Sequence, residues 1–247
     1  MMNKKLISAI AAVSFASLFS ATALSAPVAN LKVSGKITPP TCMVNGSNET
    51  DLLYSFGSVS PTVIPQDSTY NGLPSLSNNL TITCDAETFL TFKATDNYPN
   101  AFDATVSGAN TNFKSIIFNL VNSADTTKNV GGIAYTAQDV TVDGNAAYIS
   151  RANDAPSDNG TWAQNQHFVI GATMGWTSEP QKYVAPSALK LQSGKVFSMG
   201  IKNISNLYLG ISNTFLHSKA ALAKDGIDIT NGLDYVGQTV LTFNFGI

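Results

Sequence analysis

Leu31-Lys32-Val33-Ser34-Gly35-Lys36-Ile37-Thr38-Pro39-Pro40-Thr41-Cys42 is the stretch on which the reading of this chain turns. Leu31, Val33, Gly35 and Ile37 fall on one side of an extended backbone, and Lys32, Ser34, Lys36 and Thr38 on the other. Period-two alternation marks a strand with one buried face, so this stretch is expected to be the first strand of the fold. Pro39-Pro40 ends it, because proline cannot donate to a sheet ladder. Cys42, one of only two cysteines, follows at once.

Upstream, Lys4 and Lys5 precede an apolar run over 6–19, and Ala23-Leu24-Ser25 forms a small-x-small cleavage site. That order reads as a secretory signal peptide over 1–25, cut before Ala26. Residues 26–247 are then expected to form one exported domain with no membrane span. Downstream, the second cysteine is Cys84. In an oxidising compartment a lone pair of cysteines favours a disulfide. Joining Cys42 to Cys84 closes a loop of about 40 residues, worth ~4 kcal/mol on a chain-entropy estimate. The spacing fits no zinc or redox motif.

Working outward, alternating segments recur along the whole chain. Residues 52–56 read as a short strand, and 58–79 as a long connection rich in Pro, Ser and Asn. Leu80, Ile82 and Cys84 share the apolar face of a clear strand. Further strands are expected over 89–94, 113–121, 133–142, 167–173, 196–202 and 207–211, with a break at Val130-Gly131-Gly132. Only 214–224 suggests a helix. The chain closes on 238–247, where Leu241, Phe243, Phe245 and Ile247 alternate with polar Thr242 and Asn244. Many short strands separated by turns, with no internal repeat, imply a single all-β antiparallel sandwich with enlarged loops and one disulfide.

Composition excludes several classes of function. Charged residues make up 12 % of the chain, about half the usual share, and the net charge is −2. Arg151 is the only arginine, so nothing favours nucleic acid as a partner. His167 and His217 lie on different elements, and His167 falls on the polar face of its expected strand, where a solvated side chain is the simplest reading. No nucleophile elbow, zinc-binding helix or phosphate loop occurs. Asp225, Asp228 and Asp234 do not have EF-hand spacing and read as turn residues. Trp162, Trp176, Tyr183 and Tyr208 are candidates for a sugar platform or, more simply, core and scattered surface aromatics. No catalytic residue, metal ligand or cofactor site is expected.

The ordered motifs carry a resemblance. Gly35-Lys36-Ile37-Thr38-Pro39-Pro40-Thr41-Cys42 resembles the first strand of chaperone–usher pilins, with a glycine seven positions before the first cysteine. Phe56-Gly57-Ser58-Val59, Ile82-Thr83-Cys84 and the alternating last strand resemble further pilin segments in the same order. Leu80-Thr81-Ile82-Thr83-Cys84-Asp85-Ala86-Glu87-Thr88, with Asp96-Asn97, Phe118-Asn119-Leu120 and Lys128-Asn129-Val130-Gly131 downstream, is similar to the GltF-like family of uncharacterised, fimbria-related exported bacterial proteins.

The resemblance implies an immunoglobulin-like, pilin-like sandwich that lacks its last strand. A periplasmic chaperone lends a strand to such a domain, and the N-terminal extension of the next subunit later replaces it. Here the chaperone edge would be Leu241, Phe243, Phe245 and Ile247, with the carboxylate of Ile247 held by basic chaperone residues. An outer-membrane usher and other fimbrial subunits are the further implied partners, and the periplasm or a cell-surface fimbrium of a Gram-negative bacterium the implied location. Gly246 stands where pilins usually carry an aromatic next to last. The strand from Leu31 is expected to be built into its own domain, and only Ala26-Pro27-Val28-Ala29-Asn30 precede it after cleavage, a reach of about 17 Å that is too short to fill a neighbour's groove. That favours a non-catalytic tip or accessory subunit over a shaft subunit. The alternative is a self-sufficient binding module, with the missing strand supplied from between 105 and 142.

Overall fold

The computed structural model describes residues 29–101, 114–156, 163–164, 166–204, 207–208, 211–212 and 214–246. The chain divides into two compact units, Met1–Thr38 and Pro39–Ile247. In the first, residues 29–38 form no helix or strand, and Leu31, Val33 and Ile37 are 98, 99 and 102 % exposed. The expected first strand of Leu31, Val33, Gly35 and Ile37 is therefore not a strand of the sandwich. Alternation becomes a strand only where a neighbouring strand and a core receive it, and among the described residues this stretch has neither. The expected signal peptide over 1–25 lies outside the described residues.

The second unit is built almost entirely of strands. In chain order they are β1 (Cys42–Val44), β2 (Ser77–Thr88), β3 (Leu90–Asp96), β4 (Phe118–Asn122), β5 (Asp125–Ile133), β6 (Tyr135–Val142), β7 (Asn145–Ala146), β8 (Tyr148–Arg151), β9 (Met174–Thr177), β10 (Gly194–Asn203), β11 (Leu207–Tyr208), β12 (Ile211–Ser212), β13 (Phe215–Leu216), β14 (Tyr235–Val236) and β15 (Thr239–Phe245). All the strand pairings are antiparallel. Three sheets carry the core, in the orders β1-β2-β10-β6-β7, β13-β5-β4-β14 and β15-β3-β9-β8.

The first sheet packs against the other two. Trp176 of β9 meets Phe197 of β10 with ring centroids 5.5 Å apart and Phe92 of β3 at 5.7 Å. Its indole N–H donates to the Ser198 carbonyl at 3.2 Å, so a large buried ring leaves no polar atom unmatched. Phe118 of β4 meets Tyr135 of β6 at 5.4 Å. The result is the expected all-β antiparallel sandwich. The two cysteines are bonded, and they sit directly opposite one another on β1 and β2 with Cα atoms 4.0 Å apart. Leu80, Ile82 and Cys84 share a buried face, as their alternation requires.

Several local expectations are overturned, among them the short strand over 52–56, which forms no ladder, and the strand over 207–211, which is two paired strands. Val130-Gly131-Gly132 does not interrupt a strand: β5 runs through it. A Cβ on Gly131 would lie 2.1 Å from the Phe215 carbonyl oxygen, so glycine is there for close approach of β13. Residues 167–173 form isolated bridges at His167 and Ile170, not a continuous strand, and His167 is buried, not solvated. The helix within 214–224 shrinks to α1 (Lys219–Lys224), capped by the Ser218 hydroxyl, which accepts from the Ala221 N–H at 3.1 Å. The preceding Phe215 and Leu216 are taken by β5.

Candidate functional site

The C-terminal stretch has one bonded edge and one open edge along its length. Tyr235 and Val236 pair with Asn122 and Val121 of β4, and Thr239–Phe245 then pairs with all seven residues of β3 without a register break. Both β14 and β15 are the outermost strands of their sheets, so their other edge has no partner among the described residues. Within β15, Leu241 and Phe243 are half-buried against the core, while Val240 and Phe245 are 42 and 48 % exposed. The strand holds no charge, proline or bulge. Those are the devices that normally keep a sheet edge from pairing with another chain.

A second wall faces the Tyr235 end of this edge. Residues 51–59 run without helix or strand, yet Leu52, Tyr54, Phe56 and Val59 pack on the core while Leu53, Ser55 and Gly57 point outward. No backbone group of this segment bonds another backbone group among the described residues. It is held by side chains instead: the Tyr54 hydroxyl donates to the Ile201 carbonyl at 2.7 Å, and the Asn78 amide donates to the Leu53 carbonyl at 2.9 Å. A segment with strand-like burial and no ladder is half of a sheet.

A chain of ring contacts runs through the core from this segment to β15. Tyr54 meets Tyr135 at 5.3 Å, Tyr135 meets Phe168 at 6.2 Å, Phe168 meets Phe92 at 5.3 Å, and Phe92 meets Phe243 at 5.9 Å. Burial pushes the Tyr135 phenol up to about 12; the neighbouring Thr239 side chain on β15 works against this, and the Asp96 charge adds to it. Burial likewise raises Tyr54.

The two walls enclose a cleft of about 830 Å3, bounded by residues 53–59 on one side and by Leu233 and Tyr235 on the other, over Leu216 and Leu222. The Tyr235 hydroxyl is buried there without a hydrogen-bond partner among the described residues, and burial raises its pKa. An apolar trough with open backbone along its rim is suited to receive an extended strand.

Of the residues singled out in the sequence, Cys42 and Cys84 staple β1 to β2, and Leu241, Phe243 and Phe245 lie on the open edge. Ile247 lies outside the described residues. Leu31, Val33 and Ile37 belong to the exposed segment, and a Cβ on Gly35 would have nothing within 4 Å. Trp176 is in the core and Tyr183 lies against Arg151 at 5.5 Å, so they form no shared platform. Trp162 and the Tyr208 side chain lie outside the described residues. Asp228 accepts from the N–H and hydroxyl of Thr230, closing a turn, and among the described residues no group of acidic, His or Cys side chains is gathered for a metal. No described helix is long and apolar enough to cross a membrane. Sequence reading missed Tyr54, Tyr135 and Tyr235 as groove residues. The alternation of Leu52, Tyr54 and Phe56 was visible, but not the absence of a sheet neighbour. No family model matches this chain, and no curated protein matches it.

Proposed function

We propose that this chain is a non-catalytic, strand-complemented subunit of an exported fimbria-like assembly, and that the groove between 51–59 and the C-terminal stretch is where a partner's strand is received. One observation carries the reading: an uncharged open edge runs, at its Tyr235 end, into a cleft walled by a segment with strand-like burial and no ladder. A periplasmic chaperone or another subunit would supply the strand.

The exposed segment supports a reciprocal role. Leu31, Val33 and Ile37 have the alternation that the groove lacks. Seven positions, 31–37, match the seven residues of β15, both about 23 Å long when extended. With residues 31–37 exposed and in no strand, the segment that could be lent is not limited to the five residues ahead of Leu31. A subunit that both receives and lends a strand is no longer restricted to the end of a fibre.

The test uses the exported protein and a synthetic peptide of residues 29–39. Peptide binding that raises the melting temperature and protects the amides of 235–245 from exchange supports the reading. A stable monomer that ignores both the peptide and a co-expressed periplasmic fimbrial chaperone would sink it, and would favour the self-sufficient module.

A further inference from the structure

The receiving edge is made of two pieces on two different sheets. Tyr235 and Val236 belong to the sheet of β4, and Thr239–Phe245 to the sheet of β3. Only Gly237 and Gln238 lie between them. An incoming strand is straight over this length, so it can pair with both pieces only if they are held in line. Resting on the function proposed above, we propose that Asp96 is the positioning residue of strand acceptance, clasping β3 to β4 at the step where the edge changes sheets.

Asp96 is the last residue of β3 and lies opposite Thr239, the first residue of β15. One carboxylate oxygen accepts from the Asn119 backbone N–H at 2.8 Å and from its side-chain amide at 2.7 Å; the other accepts from the Tyr98 N–H at 2.8 Å. Asn119 is on β4. Gly237 packs against the carbonyl of the same residue, where a Cβ would come within 2.9 Å of the oxygen. Asn97, next to Asp96, holds Gln238 twice: its N–H donates to the Gln238 carbonyl at 3.0 Å and its amide to the Gln238 side chain at 2.7 Å. The two-residue step is thus gripped by Asn97 and Asn119, and Asp96 holds Asn119 in place.

A buried chain braces the clasp from behind. The Asn119 side-chain oxygen accepts from the Asn129 amide at 2.5 Å, and the Asn129 oxygen is bonded to Nε2 of His217. Both asparagine amides are already spent as donors, so the network assigns the hydrogen of that last bond to His217 Nε2. Asp96, Asn119, Asn129 and His217 are all buried. They link β3, β4, β5 and the end of β13, whose Leu216 lines the deep cleft. Each link of the chain donates towards Asp96, which accepts only, and the Asn119 and Asn129 amides donate in addition to the Tyr98 and Gly131 carbonyls. An amide in its place would turn a donor towards a donor.

The experiment compares wild type with Asp96→Asn, reading affinity for the 29–39 peptide, melting temperature, and amide exchange at 235–240 against that of β2 and β10. Asp96→Asn is expected to weaken the peptide roughly tenfold or more, with faster exchange at 235–240 and little change in β2 and β10. Unchanged affinity in Asp96→Asn with wild type binding would overturn the proposal. So would exchange rising equally in all strands, which a merely structural role produces. If Asp96→Asn fails to fold, Asn129→Ala cuts the chain one link further back. It should show the same local pattern more weakly, and unchanged exchange at 235–240 in it would also overturn the proposal. If wild type ignores the peptide, the function proposed above fails, and the exchange at 235–240 still decides whether Asp96 aligns the edge.

Discussion

Tyr54 stands edge-on to Tyr135, their ring centroids 5.3 Å apart and planes at 61°. This contact joins a segment with no ladder to the interior of the first sheet. Tyr54→Ala removes the ring and the bond to the Ile201 carbonyl together. A loss of about 3 kcal/mol is expected, read from the urea midpoint. The melting of β2 and β10 should change less than the protease resistance of 51–59, because little else fastens that wall.

The disulfide should carry a large share of the stability. Cys42 and Cys84 are 42 positions apart, and opening a loop of that size costs ~4 kcal/mol on the chain-entropy account, against ~5–15 kcal/mol for a whole domain. Cys42→Ser should sharply lower both exported yield and melting temperature, and reducing agent should have the same effect on wild type. Equal melting temperatures with and without reductant would refute the staple.

His167 makes the fold sensitive to acid. Burial, with the Arg151 charge adding to it, lowers its pKa from 6.5 to about 4. Between these values the unfolded chain binds a proton that the folded chain refuses, so stability rises with pH across that window and falls as pH drops from 6.5 towards 4. The contribution is of the order of 3 kcal/mol. His167→Gln should flatten the melting-temperature profile between pH 4 and 6.5 and leave it unchanged above 7. A wild-type profile already flat there would contradict the burial argument.

Gly131 has no room for a side chain. A Cβ would lie 2.1 Å from a backbone oxygen of β13, and backbone cannot step aside as a flexible side chain does. Gly131→Ala is expected to cost about 2 kcal/mol or more, measured by chemical denaturation. It should loosen the cleft floor at Leu216 as well.

Val240 offers a control on the open edge. Its side chain points outward at 42 % exposure, so Val240→Lys should leave the unfolding free energy within about 0.5 kcal/mol of wild type. It should nevertheless reduce self-association of the isolated protein, because a lysine guards an edge. Unaltered light scattering on heating would argue against the edge as the sticky surface.

The sequence by itself determined the fold class, because alternation at Leu80, Ile82 and Cys84 and at Leu241 and Phe243 is local information that any core will read the same way. The lone cysteine pair left its own partnering in no doubt. Alternation cannot say whether a strand has neighbours. Leu31, Val33 and Ile37 alternate as cleanly as Leu80 and Ile82, yet the former are exposed and the latter buried. Residues 52–59 alternate and pack without a ladder. Only tertiary structure decided these cases, since a strand exists through hydrogen bonds to residues distant in sequence. The same limit hid the bond that Asn119 donates to Asp96, which spans 23 positions and is written into no local pattern. Leu31, Val33, Gly35 and Ile37 thus keep the alternation read from the sequence, and the tertiary structure leaves that face unspent.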